Sequence, residues 1–513
     1  MASVDDQSVN EQQRRAARAE ALLAASRPAE HPPGVDAEEL ARALRVLEQV
    51  AGLPPEHPDS VAVRRATAGI FKAVRKERRR ERREVIQEAD RSVEAATATG
   101  SPQRIDDETA GIQLVSQAAG AVAGSYIRPR PCYICKQLHT QVDAFYHQLC
   151  PDCAAVNHAH RDARTDLTGR RALLTGGRAK IGMYIALRLL RDGAQTTITT
   201  RFPADAARRF SGLADSGDWL HRLTIVGIDL RDPAQVVALA DRVAAAGPLD
   251  ILINNAAQTV RRSTGAYAPL VAAESEPLPD GPLPEMITFD HVSDAHPAAL
   301  AGSLSNHPVA HLPENASGEE ISRLAMLAGS ASLDKINGNL AAIDAGGLVP
   351  DLHTINSWTQ LVDQVDPLEL LEVQLCNMTA PFLLISRLRS ALAATSARRS
   401  YVVNVSAMEG VFSRGYKGPG HPHTNMAKAA LNMLTRTSAA EMFTDGILMT
   451  AVDTGWITDE RPHYTKVRLA EEGFHAPLDL VDGAARVYHP IVAGEAGTDL
   501  YGCFLKDYRK SDW

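Results

Sequence analysis

Aromatic residues and cysteines are scarce in this chain, and the shortage of cysteine excludes a class of protein. Only 5% of the 513 residues are Phe, Trp or Tyr, and only six are Cys. Four of the six lie close together as two CxxC pairs, which is not the distribution of a disulfide framework. This usage is typical of a reducing compartment and of a metal site. We therefore expect a cytoplasmic protein.

Signals for secretion and for membrane insertion are also missing. The segment after Met1 is polar and acidic and lacks the basic and apolar regions of a secretory signal. No apolar run reaches the length that spans a bilayer, which predicts no membrane partner. The net charge of −8 argues against nucleic acid as the partner of the whole chain. The length predicts two or three domains.

The first region, residues 1–128, is rich in Ala, Arg and Glu and predicts helices. Asp36 is a candidate N-cap for a helix that ends at Ala51, and a second helix is predicted over residues 60–96. Within it, residues 72–83 are mostly Lys and Arg. This run is either a contact for nucleic acid or an acidic partner, or the solvated face of a long helix with interleaved Glu. The interleaving favours the solvated face.

The second region, residues 129–165, carries both CxxC pairs. Each pair can present two thiolates to one ion, and tetrahedral zinc needs four such ligands. Two pairs at this spacing predict a small structural zinc module, whose metal would supply most of its folding free energy. The four predicted ligands are Cys132, Cys135, Cys150 and Cys153.

The third region, residues 166–513, alternates strand and helix patterns. This alternation predicts an α/β fold with a doubly wound parallel sheet of the Rossmann type. An insertion at about residues 262–366 leaves the edge of the sheet where ligands bind, so we expect it to form a wall of the pocket. Strands are predicted over residues 171–175, 195–200, 223–230, 249–254, 401–405, 447–452 and 501–505, and helices over 181–190, 368–391 and 426–441.

The turn after the first of these strands is typical of dinucleotide binding. Thr175, Gly176 and Gly182 match the pattern TGxxxGxG, although Lys180 replaces the middle glycine. Glycines let the backbone approach a pyrophosphate, and the helix that begins at Ile181 offers its N–H groups. With the motifs that follow, residues 168–513 resemble the short-chain dehydrogenase/reductase family, which implies an oxidoreductase that uses NAD(P).

The second strand ends in Arg201, which bears on the choice of cofactor. Proteins that hold the 2′-phosphate of NADP place a base here, whereas those that bind NAD place an acid. Arg178 and Lys180 lie nearby in the turn, so three cations could surround that phosphate. The sequence therefore predicts NADP(H).

Further matches to the family follow in the same order along the chain. Asp229 and Leu230 correspond to its adenine contact, and Asn255 and Ala256 belong to the counterpart of its NNAG motif. Thr458 ends the segment DTGWIT, which resembles the PGxxxT segment beside the nicotinamide. The resemblance implies that these residues bind the cofactor.

The catalytic centre departs from the family pattern. Lys428 matches the lysine of the motif YxxxK and would hold the nicotinamide ribose, while Asn377 matches the asparagine that supports a proton relay. Thr424 stands at the tyrosine position. At the end of a strand the family has two consecutive polar residues, and the second is its catalytic serine. Here these positions are Ser406 and Ala407, so alanine stands where the family has serine. A threonine hydroxyl cannot easily take over the role of a phenolate.

Three interpretations of this departure stay open. Another group could supply the proton, with His421, His423, Tyr416 and Tyr464 as candidates. Alternatively, hydride could be transferred to or from a carbon whose reaction needs little acid–base catalysis, such as that of an activated double bond. In the third interpretation, the domain binds NADP without turnover. We expect an NADP-dependent oxidoreductase with an altered proton relay, a small-molecule substrate and a homo-oligomeric assembly. The alternative is a catalytically silent NADP-binding sensor or scaffold.

Overall fold

The computed structural model describes most of the chain on both sides of the insertion. Thr458 and the middle of the insertion, residues 290–343 and 345, lie outside the described residues, and so does the short helix that the sequence predicts at about residues 319–327. The described residues are 34–102, 104, 116–262, 264–289, 344, 346–457 and 460–513.

The described part of the chain begins with two helices, α1 (Ala37–Ala51) and α2 (Pro58–Ala95), which confirms both predicted spans to within two residues. Asp36 caps α1 by accepting hydrogen bonds from the backbone N–H groups of Glu38 and Glu39 at 2.9 and 3.0 Å. Residues 72–83 of α2 are all exposed, as expected for a solvated face. Arg80 pairs there with Glu77 and Glu84 at 2.6 and 3.4 Å.

The Cys module (residues 122–161) is a hairpin followed by a helix. Its strands β1 (Val122–Pro131) and β2 (Leu138–Asp143) pair in antiparallel fashion, and its helix α3 (Pro151–Arg161) begins directly after Cys150. The C-terminal half of α2 packs on the hairpin, with Ile86 against Ile127. Strand β1 thus crosses the boundary that we placed between residues 128 and 129, and the division into domains stays a prediction.

The large sheet confirms the predicted α/β fold. Its strand order is β11-β10-β9-β8-β6-β3-β4-β5-β7, and all neighbours are parallel except β10 and β11. The strands are β3 (Arg171–Leu174), β4 (Gln195–Thr200), β5 (Leu223–Gly227), β6 (Ile251–Asn254), β7 (Glu285–Thr288), β8 (Ser400–Ser406), β9 (Ile447–Asp453), β10 (Phe504–Lys506) and β11 (Arg509–Ser511).

Helices cover both faces of this sheet and bury two cores. Leu187 of α4 and Val487 of α12 belong to one core, and Leu239 of α6 and Leu388 of α9 to the other. The helices are α4 (Lys180–Arg191), α5 (Pro203–Ser211), α6 (Pro233–Ala245), α7 (Thr264–Glu274), α8 (Pro367–Gln374), α9 (Ala380–Ala393), α10 (Pro422–Phe443), α11 (His463–Glu471) and α12 (Leu480–Glu495).

Three predicted elements differ from those observed. The strand predicted over residues 223–230 ends at Gly227, because Ile228 and Leu230 are buried in the core without continuing the ladder. The last strand begins at Phe504 rather than at Tyr501, whose ring stacks on Phe443 at 4.1 Å. The helix predicted over residues 368–391 is interrupted by a π-helical turn, Leu375–Thr379.

The insertion contributes more than the expected pocket wall. Helix α7 and strand β7 both lie within it, and β7 extends the sheet beside β5 with Met286 paired to Ile225. No helix or strand was predicted from the sequence for this Pro- and Gly-rich part. Its four-residue strand is stabilised by a partner far away in sequence, which local pattern does not reveal.

Among the described residues, one helical segment is long and apolar enough to span a membrane. It is Pro367–Ala393, which combines α8, the π-helical turn and α9. By length and composition alone, the expectation that no apolar run is long enough to span a bilayer is therefore wrong. However, 44% of its most apolar window is buried, and Leu384 and Leu388 pack in the core with α6. This packing is typical of a core helix, so the segment is weak evidence for a membrane.

Candidate cofactor and substrate cleft

A cleft of 970 Å³ lies at the carboxyl ends of the parallel strands. Open α/β sheets bind ligands at this edge, because the loops after the strands converge there. Each of the central strands ends in residues that line the cleft: Gly176 after β3, Arg201 after β4, Asn255 after β6, Ala407 after β8 and Thr454 after β9.

The glycine turn has the geometry of a close backbone approach. Gly176 adopts a φ of +69°, and a Cβ there would meet the Ala256 Cα at 2.9 Å. A Cβ on Gly182 would lie 1.9 Å from the carbonyl oxygen of Gly176, so helix α4 needs glycine to pack on the turn. Lys180 keeps a φ of +52°, which explains why the family pattern has glycine at its position.

Hydrogen bonds fix this turn against the loop after β6. The Thr175 hydroxyl accepts the N–H groups of Asn255 and Ala256, both at 3.0 Å. In return, the Asn255 amide donates to the carbonyls of Thr175 and Gly176 at 3.1 and 3.0 Å. Helix α4 begins beside them with no side-chain cap, and Ile181 of its first turn lines the cleft. Its N-terminal N–H groups therefore suit an anion.

The three predicted cations, Arg178, Lys180 and Arg201, differ in the groups that surround them. Arg201 lines the cleft with its guanidinium 5.2 Å from the ring centre of Tyr267, a residue of the insertion. Arg178 instead forms an ion pair with Asp205 and donates to the Gly346 carbonyl at 2.8 Å. The Lys180 ammonium lies 3.8 Å from Glu460. All three side chains line the cleft, two of them beside acidic partners, and their placement around one phosphate stays a prediction.

Asp229, part of the predicted adenine contact, lines the cleft, and its carboxylate is hydrogen-bonded within the protein. Asp229 is buried and accepts hydrogen bonds from the Arg231 guanidinium at 2.6 and 3.0 Å. Burial raises the pKa of Asp229, but the bonds from Arg231 outweigh it and the pKa is lowered. Leu230 offers an apolar surface in the same wall.

Asn377 lies in the π-helical turn, in the cleft wall. Its side-chain amide forms two hydrogen bonds with the backbone of Gln258. It accepts from the N–H at 2.7 Å and donates to the carbonyl at 2.9 Å. A π-helical turn inside a longer helix often marks a functional position. Here it joins the helix to the loop after β6 through a buried side chain.

Lys428 points to the end of strand β8. Its ammonium donates to the Val405 carbonyl at 2.8 Å, and its side chain lines the cleft. Burial lowers the pKa of Lys428 to about 8. Its charge is therefore sensitive to pH near neutrality, which is unusual for a lysine.

Both hydroxyls near Lys428 bond to the protein itself. Thr424, at the tyrosine position, donates to the His421 carbonyl at 3.0 Å, and Ser406 donates to the Asn432 side chain at 2.6 Å. Ala407 occupies the cleft surface at the position where the family has its serine. Thr424 and Ser406 both line the cleft, but each donates its hydroxyl proton within the protein.

The histidine and tyrosine candidates for the missing proton donor lie outside the cleft lining. His423 is buried with its Nε2 3.8 Å from Glu369, and it is not among the described residues that line the cleft. His421 stacks on Trp358 of the insertion at 3.8 Å. Tyr416 and Tyr464 are exposed and do not line the described cleft either. None of these four candidates is among the described residues that line the cleft.

A carboxyl group that the sequence analysis missed does lie in the cleft. Asp453 ends strand β9, in register with Ser406 of β8, and is 5% exposed. Among the described residues, no side chain forms a hydrogen bond or ion pair with it. Burial, followed by the negative charge of Asp507, raises the pKa of Asp453 to about 6. Its signal in the sequence was its place as the first residue of DTGWIT, the segment that resembles PGxxxT.

The four predicted zinc ligands come together in the Cys module. The sulfurs of Cys132, Cys135, Cys150 and Cys153 all lie within 4.8 Å of one another. Tetrahedral zinc with Zn–S bonds of about 2.3 Å places its sulfurs about 3.8 Å apart, so this cluster fits the ion. The 3.6 Å between the Cys135 and Cys150 sulfurs agrees with that spacing.

Comparisons with known proteins agree with the fold. Residues 170–269 match the sequence model of the short chain dehydrogenase family. The uncharacterized protein R665 of Acanthamoeba polyphaga mimivirus is 30% identical over 379 residues, 71% of each chain. A "Probable oxidoreductase" of Streptomyces antibioticus is 44% identical over 91 residues, which is 18% of this chain and 30% of the relative.

Among solved structures, a short chain dehydrogenase of Burkholderia cenocepacia in complex with NADP is similar at 20% identity and a TM-score of 0.39. That similarity covers 66% of this chain and 97% of the other. The family assignment rests on the sequence comparisons and on the motifs that converge at the cleft. Residues 170–269 match the short-chain dehydrogenase family, and the chain is similar to oxidoreductases over a short segment.

Proposed function

We propose that the protein is an NADP(H)-dependent oxidoreductase that acts on a small molecule through an altered proton relay. The observation that carries the proposal is that one cleft holds the glycine turn, the Lys428 ammonium and the unpartnered Asp453 carboxyl. The oxidoreductase relatives support the reaction class, although each matches only about a third of its own length.

The residues present fit a dinucleotide. Gly176 lets the turn pack closely on the loop after β6 at the cleft, and the uncapped start of α4 suits a pyrophosphate. Arg201 would hold the 2′-phosphate, and Lys428 would donate to the nicotinamide ribose. Bound NADP(H) would supply or accept the hydride.

Asp453 would replace the tyrosine as the group that moves the proton. A general acid or base needs a position in the cleft and a proton that it can exchange near neutral pH. Asp453 lines the cleft, and Ser406 and Thr424 already donate their hydroxyl protons within the protein. In reduction, Asp453 would give its proton to the substrate oxygen and regain one from water. In oxidation, it would take that proton.

Oxidation of NADPH in the presence of carbonyls and activated alkenes tests this function. The native protein should turn over at least one class of substrate. Asp453→Asn should slow turnover by about 100-fold or more, since positioned acids and bases contribute about that much. Asp499→Asn makes the same change at a surface ion pair and should leave turnover unchanged. Full turnover by Asp453→Asn would refute the relay, and NADPH binding without turnover would favour the sensor alternative.

A single structural zinc ion is the second part of the proposal. Four thiolates leave no open position for a substrate, so the ion would hold the fold of the Cys module rather than take part in chemistry. The close approach of the four sulfurs is the supporting observation.

A further inference from the structure

The loop between the first two cysteines reaches the cofactor cleft. Tyr133 belongs to this loop and Lys136 directly follows Cys135, and both line the cleft together with Thr454 and Trp456. They come from the Cys module, more than 300 residues earlier in the chain than the segment that they face. The cleft is therefore built by two regions that the sequence analysis treated as separate.

A hydrogen bond joins the two regions at this point. The Tyr133 hydroxyl oxygen accepts the backbone N–H of Trp456 at 2.9 Å. Trp456 belongs to the segment that resembles the nicotinamide-side PGxxxT segment of the family. The Lys136 ammonium lies 5.1 Å from the centre of the Tyr133 ring and donates to its carbonyl, so the two side chains form one surface.

The rest of the Cys module is fixed to the same part of the large domain. The Tyr146 hydroxyl donates to Asp482 at 2.6 Å, deep in the interface. The Arg161 guanidinium binds both oxygens of Asp479, the N-cap of α12, at 2.5 and 3.1 Å. The Cys module and this part of the large domain therefore form a rigid, buried contact.

Apolar packing continues this contact up to the glycine turn. Tyr133 and Ile134 pack in one cluster with Ile457 and with Ile181, the residue that begins α4 beside the turn. The same cluster contains the ligand residue Cys132. A change in the cysteine cluster therefore bears directly on side chains that line the cleft.

The geometry points to the Cys module as a wall of the cofactor cleft, in which metal binding by the four cysteines sets the affinity for the dinucleotide. Tyr133 is the positioning residue, because its hydroxyl holds the backbone of Trp456, and Lys136 closes the same wall. Cys132 and Cys135 flank Tyr133 in sequence, so a bound metal would fix the loop at both ends. This inference rests on the proposed binding of NADP(H).

Fluorescence titration with NADPH tests the inference without any substrate. Tyr133→Phe removes the acceptor of the Trp456 N–H and should weaken NADPH binding by about fivefold or more, because a partly buried N–H then lacks its protein partner and the segment is held less firmly. Lys136→Ala alters the same wall at an exposed side chain that does not endanger folding. It should weaken binding by at least twofold. Removal of the metal with a chelator should weaken binding at least as much as Tyr133→Phe does.

Tyr126→Phe is the matched control. Tyr126 lies in the Cys module outside the cleft, where its hydroxyl donates to the His147 carbonyl at 2.6 Å. This variant should bind NADPH like the native protein, and all three variants should retain the metal and the native unfolding midpoint. Native affinity in both Tyr133→Phe and Lys136→Ala would overturn the inference. A native protein that binds no NADPH would instead refute the proposed function.

Discussion

The Lys428 ammonium donates a hydrogen bond of 2.8 Å to the carbonyl oxygen of Val405, and so lies at the end of strand β8. The lysine of the family motif thus reaches the cleft although the tyrosine before it is replaced by Thr424. The amino group can still act through charge and hydrogen bonds, a role that does not depend on a phenol.

The charge of Lys428 should make cofactor binding sensitive to pH. Burial lowers the pKa of Lys428 to about 8, so the ammonium is charged below that pH and neutral above it. Loss of the charge removes attraction to an anionic cofactor, and NADPH affinity should fall as the pH rises through about 8. Titrations across this range should show the fall in the native protein. Lys428→Met should bind weakly at every pH, and an identical pH dependence in that variant would refute the assignment.

Asp453 should set the pH dependence of turnover. Its pKa is raised to about 6, so the protonated acid predominates below that pH and the carboxylate above it. Reduction should therefore slow as the pH rises through about 6, and oxidation should accelerate over the same range. Steady-state rates in both directions measure this. Asp453→Asn should be slow and flat with pH, and an unchanged profile would exclude Asp453 as the relay.

Arg201 should determine the preference for NADP(H) over NAD(H). Arg201→Asp removes a charged donor and adds a negative charge, which should weaken NADPH binding by about tenfold or more, as for hydrogen bonds to charged groups. NADH affinity should change much less. Arg83→Asp makes the same charge reversal on exposed helix α2 and should leave both affinities unchanged. Equal affinity of the native protein for both cofactors would remove the basis of the prediction.

Elemental analysis should find about one zinc per chain, as expected for four thiolates in a closed site. Removal of the ion should unfold the Cys module, because so small a unit buries little apolar surface. Circular dichroism and unfolding transitions recorded before and after chelation measure this. A metal-free preparation with the native unfolding midpoint would contradict the prediction.

Much of the sheet was predictable because its strands are short apolar or β-branched runs between turn residues. The strand predicted over residues 195–200 matches Gln195–Thr200, and the order of elements along the chain is as expected. Strand β7 was missed because its pairing with β5 depends on a partner about 60 residues away. Local composition carries little information about such a pairing.

The cofactor side of the cleft was more predictable than the catalytic side. The turn residues Gly176 and Gly182 follow a pattern that backbone geometry imposes, so their spacing identifies them. The position of His423 and the burial of Asp453 depend on packing between distant elements. Contacts of Tyr133 with Trp456 depend in addition on how the Cys module lies on the large domain, which no local motif records.

Titration of the native protein with NADPH and with NADH tests the central claim most directly. The account predicts saturable binding of one NADPH per chain, with NADH bound about tenfold more weakly, because Arg201 meets the 2′-phosphate. The chain has the glycine turn, the uncapped helix start and the lysine that such binding requires. Binding of neither dinucleotide would contradict the account.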